Sequence, residues 1–226
     1  METLYIILIA MLFILAIFDL IVGVSNDAVN FLNSAVGSRA FNFKWLLALA
    51  SIGIFIGATF SNGMMDITRH GIFQPEHYYF TEIITILIAV MLTDVVLLDR
   101  FNSLRMPTST TVSLVFELLG ASVAIAALKI YKSSGEFSFG QLLNTDKALS
   151  VILGIFLSVA IAFSIGYLVQ YISRLVFSFG YKKNLRYFIG IFSSFSLTSI
   201  VYFILVKGLK NAAFFPKSLQ DWVASN

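Results

Sequence analysis

Cysteine is absent from this 226-residue chain, and charged residues make up only 12% of it. The lack of cysteine excludes disulfides, thiolate metal sites and cysteine nucleophiles. Soluble domains carry about 25% charged residues, so this chain has too little charge to cover a surface that faces water. Since 58% of the residues are hydrophobic, the composition predicts an all-α integral membrane protein.

A concentrated basic patch is missing as well. The net charge is only +3, and the fifteen Lys and Arg residues lie mostly between apolar stretches. Basic residues in such places orient membrane segments, and they give no indication of a nucleic-acid partner. We therefore expect membrane lipid around the protein and a multi-pass location in the cytoplasmic (inner or plasma) membrane.

Six apolar stretches are long enough to cross a bilayer, which takes about 20 residues per helix. Short polar links separate these stretches, which cover residues 4–24, 43–62, 80–98, 108–131, 148–177 and 187–206.

One polar stretch interrupts this pattern directly after the first apolar one. It reads "GVSNDAVNFLNSAVGSRA", residues 23–40, and is too polar to face lipid and too short to be a soluble domain. Irregular backbone is tolerated at membrane depth only where it is buried in protein or lines a watery cavity. We therefore expect a broken or re-entrant helix around residues 25–40.

The same stretch carries oxygen donors at helical spacing. On a helix, Asn26, Asn30 and Asn33 would share one face, which also includes Asp19. A neighbouring face would hold Asp27, Asn30 and Ser34. Carboxylate and amide oxygens suit hard cations such as Na⁺. Isolated amides in membrane helices often only bond a neighbouring helix, but the density here favours a cation site. The expected ligands are Ser25, Asn26, Asp27 and Asn30, with Ser34 in support and no metal beyond an alkali cation.

A second motif, "RMPTSTTVSLVFELLG", opens the fourth apolar stretch at residues 105–120. Pro107 suits the first turn of a helix, and the hydroxyl residues after it suit its cap, although one hydroxyl is enough for capping. A helix N-terminus with free N–H groups and clustered hydroxyls binds anions, as half-helices of secondary transporters do. We expect a helix N-terminus at residues 107–111. The predicted anion ligands are Thr108, Ser109, Thr110 and Thr111, with Asn30 helping to frame the anion.

Two carboxylates lie inside apolar segments. Glu117 continues the helical face that Ser109 and Ser113 begin, and a carboxylate at such depth is functional by default. The alternative is a protonated glutamate bonded to a neighbouring helix. Asp94 lies nearer the end of its segment, which favours a structural role. Glu117, Ser113 and Asp94 are interpreted as supporting residues of the site.

The two motifs make chemical sense together. An anion is not stable beside Asp27 in a medium of low dielectric constant unless a cation lies between them. The pair of motifs therefore predicts coupled binding of a cation and an anion.

The motifs resemble those of the inorganic phosphate transporter family, which comprises sodium- or proton-coupled phosphate carriers. "SNDAVN" at residues 25–30 and "VGSRA" at 36–40 are similar to its Asn-Asp signature. "PTSTT" at 107–111 is similar to its Pro-x-Ser-Thr-Thr motif, and "DITRHGI" at 66–72 to a linker after its second span. The sequence departs from the family pattern at Val24, Val112 and Phe116, where the family has Gly, His and Gly.

The resemblance implies symport of inorganic phosphate with Na⁺ (or H⁺) by alternating access, with no other cofactor. Sulfate is the alternative substrate, because related permeases carry it. A membrane-embedded phosphate-ester enzyme using Asp27 and Glu117 is a distant alternative, since no His, Cys or Lys lies near either motif. A passive ion channel is disfavoured because a cation site adjoins an anion site. We expect no enzyme activity.

The family is built from two inverted repeats, each with one Asn-Asp and one Ser-Thr-Thr motif. This chain carries one copy of each. The resemblance therefore implies a membrane domain over residues 1–226, made of one repeat (about 1–177) and a linking transmembrane segment (about 187–206). A second repeat of the same protein, or a second copy of the chain, would complete the site.

Overall fold

The computed structural model describes residues 2–60, 71–133, 137–177 and 181–204, and in these ranges the regular elements are helices. An isolated antiparallel β-bridge joins Phe73 and Leu143. In chain order the helices are α1 (Glu2–Ser38), α2 (Phe43–Phe60), a 3₁₀ helix (Pro75–His77), α3 (Phe80–Ser103), α4 (Thr110–Lys132), α5 (Phe139–Leu142), α6 (Thr145–Val176) and α7 (Tyr181–Tyr202). The predicted all-α class is confirmed.

Five helical segments are long and apolar enough to cross a membrane: Thr3–Ala28, Phe80–Ser103, Thr110–Lys132, Thr145–Val176 and Asn184–Tyr202. A shorter apolar segment covers Phe43–Thr59. The six predicted stretches fall on these six helices. The linker motif at residues 66–72, apart from its last two residues, and the ends of the stretches predicted to reach 62 and 206 lie outside the described residues.

Large apolar side chains cover the outside of these helices. Phe13 is 71% exposed and Phe163 is 76% exposed. Surfaces of this kind are unfavourable in water and suit the hydrocarbon of a bilayer. The described helices are therefore those of a multi-pass integral membrane protein.

The chain divides into two compact units, one from residues 1–51 and 66–150, the other from residues 52–65 and 151–226. In the second unit, the Nδ2 of Asn184 donates a hydrogen bond of 2.6 Å to the carbonyl of Val176. The rings of Phe177 and Phe192 meet edge to face with centroids 6.0 Å apart. These contacts hold the end of α6 to α7.

The first unit is built on α1, α3 and α4. α1 packs along α3, and α3 packs along α4. Four of the five buried side chains of α3, those of Ile86, Val90, Asp94 and Leu98, follow a four-residue spacing along one face, and Ile84 is the fifth. On α4 they are Val115, Leu118, Ser122 and Ala126. The carboxyl of Asp94 and the hydroxyl of Ser122 are therefore buried among apolar side chains of these helices.

α1 runs without interruption from Glu2 to Ser38, so the predicted broken or re-entrant helix around residues 25–40 is wrong. Asn and Asp weaken a helix chiefly when their side chains bond the local backbone. Here Asn26 and Asp27 bond residues of other segments instead. The helix therefore continues past them and ends at Ser38, and the next residue, Arg39, has a φ of 52° in the left-handed region.

α3 ends sharply, which brings the chain back towards α1. The N–H of Arg105 donates to the carbonyl of Asn102 (3.0 Å), and the N–H of Met106 donates to the carbonyl of Phe101 (2.9 Å). This pair of bonds is a Schellman motif, whose left-handed position usually holds glycine. Arg105 occupies it with a φ of 58°, so the backbone is strained at the turn that leads into the "PTSTT" motif.

α4 begins at Thr110, and Ser109 is its N-cap, with its Oγ accepting from the N–H of Val112 at 3.4 Å. The predicted helix N-terminus at residues 107–111 is confirmed. Pro107 and Thr108 precede the cap, so the expectation that Pro107 forms the first turn is wrong. The reason is that the N–H of Thr108 is bonded to the side chain of Asn26 at 3.0 Å, which fixes this segment outside the helix.

The opposite end of the α3–α4 pair is closed by an ion pair under aromatic rings. The Nζ of Lys129 lies 2.7 Å from Oε2 of Glu82. Three rings surround the same Nζ at 4.7–5.6 Å from their centroids, those of Tyr78, Tyr79 and Phe137. Charge attraction and cation–π contacts together fix Lys129 at this end.

Tyr78 gives this end a measurable pH dependence. The residue is 8% exposed, and its hydroxyl has no hydrogen-bond partner within the described part of the chain. Burial, with a smaller effect of the Glu82 charge, raises the pKa of Tyr78 to about 12, against about 10 in an unfolded chain. The folded state holds this proton more tightly, so the corresponding stability is lost as the pH rises from about 10 to about 12.

We expect Tyr78→Phe to leave the protein as stable at neutral pH, or more stable by about 1 kcal/mol, because it removes an unpaired buried hydroxyl. The variant should also lose less stability than wild type above pH 10, measured by thermal unfolding in detergent. Tyr131→Phe is the matched control, since Tyr131 on α4 is 86% exposed. Equal alkaline losses in wild type and Tyr78→Phe would contradict this explanation.

Candidate functional site

Asn26 ties α1 to the connection between α3 and α4. Its side chain is 2% exposed. Its Nδ2 donates to Oδ1 of Asn102 at 2.8 Å, and its Oδ1 accepts from the N–H of Thr108 at 3.0 Å. The Nδ2 of Asn102 in turn donates to the carbonyl of Val22 at 3.1 Å. These bonds form an amide brace, Asn26 with Asn102, that holds the "PTSTT" segment against α1.

Asp27 reaches the first residue of α4. Its Oδ2 accepts a hydrogen bond of 3.0 Å from Oγ1 of Thr110, across 83 positions of sequence. The carboxylate is half-buried and lies at the helix end that carries positive partial charge. The structure therefore brings the two predicted motifs into direct contact.

The other predicted ligands are distributed around this contact. Ser109 and Thr111 are exposed at the start of α4, and Thr108 is half-buried. On α1, Ser25 is exposed and its Oγ donates to the carbonyl of Ile21 at 2.7 Å.

Asn30 and Ser34 are likewise exposed on α1. Within the described residues, the hydrogen-bond network joins Asn26, Asp27, Thr108 and Thr110, and it does not include Ser25, Asn30 or Ser34.

The sequence interpretation missed Asn102. Its signal was weak: a single amide in the polar link after the third apolar stretch, five residues before Pro107. Asn102 lies in the last turn of α3 and continues the four-residue spacing of Asp94 and Leu98 on the face that meets α1. That spacing was the signal that could have identified it.

A second group of polar side chains lies deeper along the same helices. The carboxyl of Asp94 is 2% exposed, and it interacts with the side chains of Asp19, Ser113 and Glu117. The Oγ of Ser113 donates to Oε1 of Glu117 at 2.8 Å. We call Asp19, Asp94 and Glu117 the carboxyl cluster. Asp19 precedes Asn26 by seven residues, which is about 10 Å along α1.

Metal coordination of the usual kind is not indicated for these side chains. Among the described residues, no group of three or more His, Cys, Asp or Glu side chains is arranged to hold a metal ion. The oxygens around Asp27 are hard donors, which suit hard cations better than transition metals that prefer nitrogen or sulfur ligands.

The helices and the contact between Asp27 and α4 define the class of the protein: a multi-pass α-helical membrane protein with a polar site between α1 and the N-terminus of α4. A sequence profile described as the phosphate transporter family matches residues 23–225. The chain belongs to the phosphate transporter family, as the resemblance of its motifs predicted. No curated protein and no solved structure matches the chain significantly.

Proposed function

We propose that the chain forms part of a secondary active transporter that moves inorganic phosphate together with Na⁺ by alternating access. The observation that carries this proposal is the hydrogen bond between Asp27 and Thr110 at the N-terminus of α4. In this bond the carboxyl group of Asp27 lies at the N-terminus of α4, the helix end that favours negative charge.

The start of α4 offers phosphate a cradle of donors. The first N–H groups of a helix have no intrahelical partner, and the helix dipole favours negative charge there. The hydroxyls of Ser109 and Thr111 are exposed beside these groups. Phosphate oxygens would accept from both kinds of donor, as anions commonly do at helix N-termini.

The carboxylate of Asp27 makes a cation necessary. A phosphate about 5 Å from this carboxylate would be repelled by about 3 kcal/mol for each unit of its charge, at an effective dielectric constant of about 20. A Na⁺ ion bound to Asp27 would replace that repulsion by attraction. Phosphate binding and cation binding therefore favour each other, which is the requirement for symport.

The proposed roles of the α1 residues follow from their contacts. Asp27 supplies the charged cation ligand. Both polar groups of Asn26 are bonded to protein, so Asn26 positions the "PTSTT" segment. Ser25 and Asn30, exposed on α1, would add oxygen ligands, and Asn30 would also help to frame the anion.

Phosphate is favoured over sulfate because phosphate keeps a proton near neutral pH and can donate it to a carboxylate oxygen. Sulfate is fully ionised there and can only accept. A site that contains Asp27 therefore selects for the protonated oxyanion. A second repeat, or a second copy of the chain, would supply the remaining Asn-Asp and Ser-Thr-Thr motifs.

Radiolabelled phosphate uptake by the full-length protein in liposomes tests the proposal. We expect accumulation with an inward Na⁺ gradient, little with choline in place of Na⁺, and little competition from unlabelled sulfate. Strong competition by sulfate would assign the sulfate alternative. Release of phosphate from model esters without transport would assign the enzyme alternative, and currents far above carrier turnover would assign a channel.

A further inference from the structure

Asp94 is a buried carboxylate with an unused acceptor. The residue is 2% exposed and lies on the face of α3 that contacts the other helices. Its Oδ1 has no hydrogen-bond partner within the described residues, and neither does the buried Oε2 of Glu117. Buried polar atoms are nearly always paired, so these two carboxyl oxygens require a hydrogen-bond donor.

The neighbours of Asp94 cannot donate to it if they are ionised. α1 contributes Asp19 and α4 contributes Glu117, and both carboxyl groups interact with Asp94. The hydroxyl donor present, that of Ser113, is directed to Oε1 of Glu117 at 2.8 Å. Three acceptor groups from three helices thus share one place with a single hydroxyl donor.

No Lys or Arg residue of α1, α3 or α4 lies close in sequence to a residue of the carboxyl cluster. Arg100 is exposed in the last turn of α3, six residues beyond Asp94. Lys129 and Lys132 are in the last turn of α4, at least twelve residues beyond Glu117. Lys129 is paired with Glu82. Basic side chains are therefore placed at the helix ends.

Bound protons would supply the hydrogen-bond donors that these carboxyl groups lack. Carboxylates buried together without a cation cannot all be ionised, whereas two carboxyl groups that share a proton form a strong hydrogen bond. A proton on Asp94, Asp19 or Glu117 would create the missing donor and satisfy the unpaired oxygens at once. The alternative occupant is a bound Na⁺ ion, since carboxylate oxygens are hard donors.

We propose that Asp19, Asp94 and Glu117 form a proton-binding site in the membrane-spanning part of the protein, distinct from the contact between Asp27 and Thr110 and occupied by at least one proton at neutral pH. The occupancy stands on the cluster alone. The further role of this proton, as a second ion transported with phosphate, rests on the proposed function.

Infrared spectroscopy of the purified protein in lipid tests the occupancy without any transport. We expect the carbonyl stretch of a protonated carboxylic acid at neutral pH, persisting in the presence of Na⁺ and lost at high pH. Glu117→Gln and Asp94→Asn should each reduce or shift this band. Asp99→Asn, an exposed carboxylate on the same helix as Asp94, should leave it unchanged.

Absence of the band in the wild type, or its survival unaltered in Asp19→Asn, Asp94→Asn and Glu117→Gln, would overturn the proposal. Loss of the band on adding Na⁺ would also overturn it, by assigning the cluster to a metal cation. A glutamine mimics a neutral glutamic acid, so Glu117→Gln should remain folded even if Asp94→Asn does not. If phosphate uptake fails while the band is present and sensitive to these substitutions, only the proposed function is refuted.

Discussion

Asp27→Asn is expected to reduce Na⁺-driven phosphate uptake by about three orders of magnitude. A unit charge about 4 Å from a cation, at an effective dielectric constant of about 20, contributes about 4 kcal/mol, and each 1.4 kcal/mol is about a factor of ten in affinity. Asparagine keeps the size of the side chain and an oxygen that accepts from Thr110, so the contact with α4 survives. The variant removes charge and little else.

The residual uptake carries the sharper information. Without the charge at position 27, phosphate no longer needs a cation to reach the N-terminus of α4. We therefore expect the uptake that remains in Asp27→Asn to be insensitive to replacement of Na⁺ by choline. Uptake by Asp99→Asn should match wild type in both media, since Asp99 is exposed on α3. Undiminished, Na⁺-dependent uptake in Asp27→Asn would refute the proposed role of Asp27.

Asn26→Ala is expected to lower the free energy of unfolding by about 2–4 kcal/mol. The substitution leaves Oδ1 of Asn102 and the N–H of Thr108 without their partner, and each unpaired group that is shielded from water costs about 1–3 kcal/mol. It also frees the segment that carries Ser109 and Thr110, so phosphate uptake should fall by at least about tenfold. Chemical unfolding in detergent and uptake in liposomes measure the two effects.

Two comparisons separate the brace from a general effect of removing an amide. Asn33→Ala changes an exposed asparagine of the same helix and should alter stability by no more than about 0.5 kcal/mol. The double variant Asn26→Ala, Asn102→Ala should lose less stability than the sum of the two single variants, because they share the bond of 2.8 Å between their amides. Additive losses would show that the brace is not an energetic unit.

Hydropathy predicted the helices well because a bilayer imposes a length on every segment that crosses it. The contact between Asp27 and Thr110 was also within reach of the sequence, since a carboxylate and a helix N-terminus attract each other. The continuity of α1, by contrast, could not be predicted from the sequence. Asn26 and Asp27 look like helix breakers in isolation, and only their partners on other segments explain why the helix passes through them.

The carboxyl cluster was hidden for a different reason. Glu117 and Asp94 were noticed one by one, and Asp94 was interpreted as structural because of its place near the end of an apolar stretch. Their meeting with Asp19 depends on the rotation of three helices about their own axes, which hydrophobic periodicity fixes only loosely when apolar residues cover almost every face. The residue types were visible in the sequence, but the rotation of each helix about its axis was not.

The unbroken course of α1 has a mechanical meaning. Asp19 and Asp27 lie eight residues apart on the same continuous helix. A rotation of α1 about its axis by about 100°, the angle between successive residues, would turn both carboxylates away from their partners in a single movement. Release of a proton from the carboxyl cluster and release of a cation from Asp27 would thus be coupled through one movement of α1.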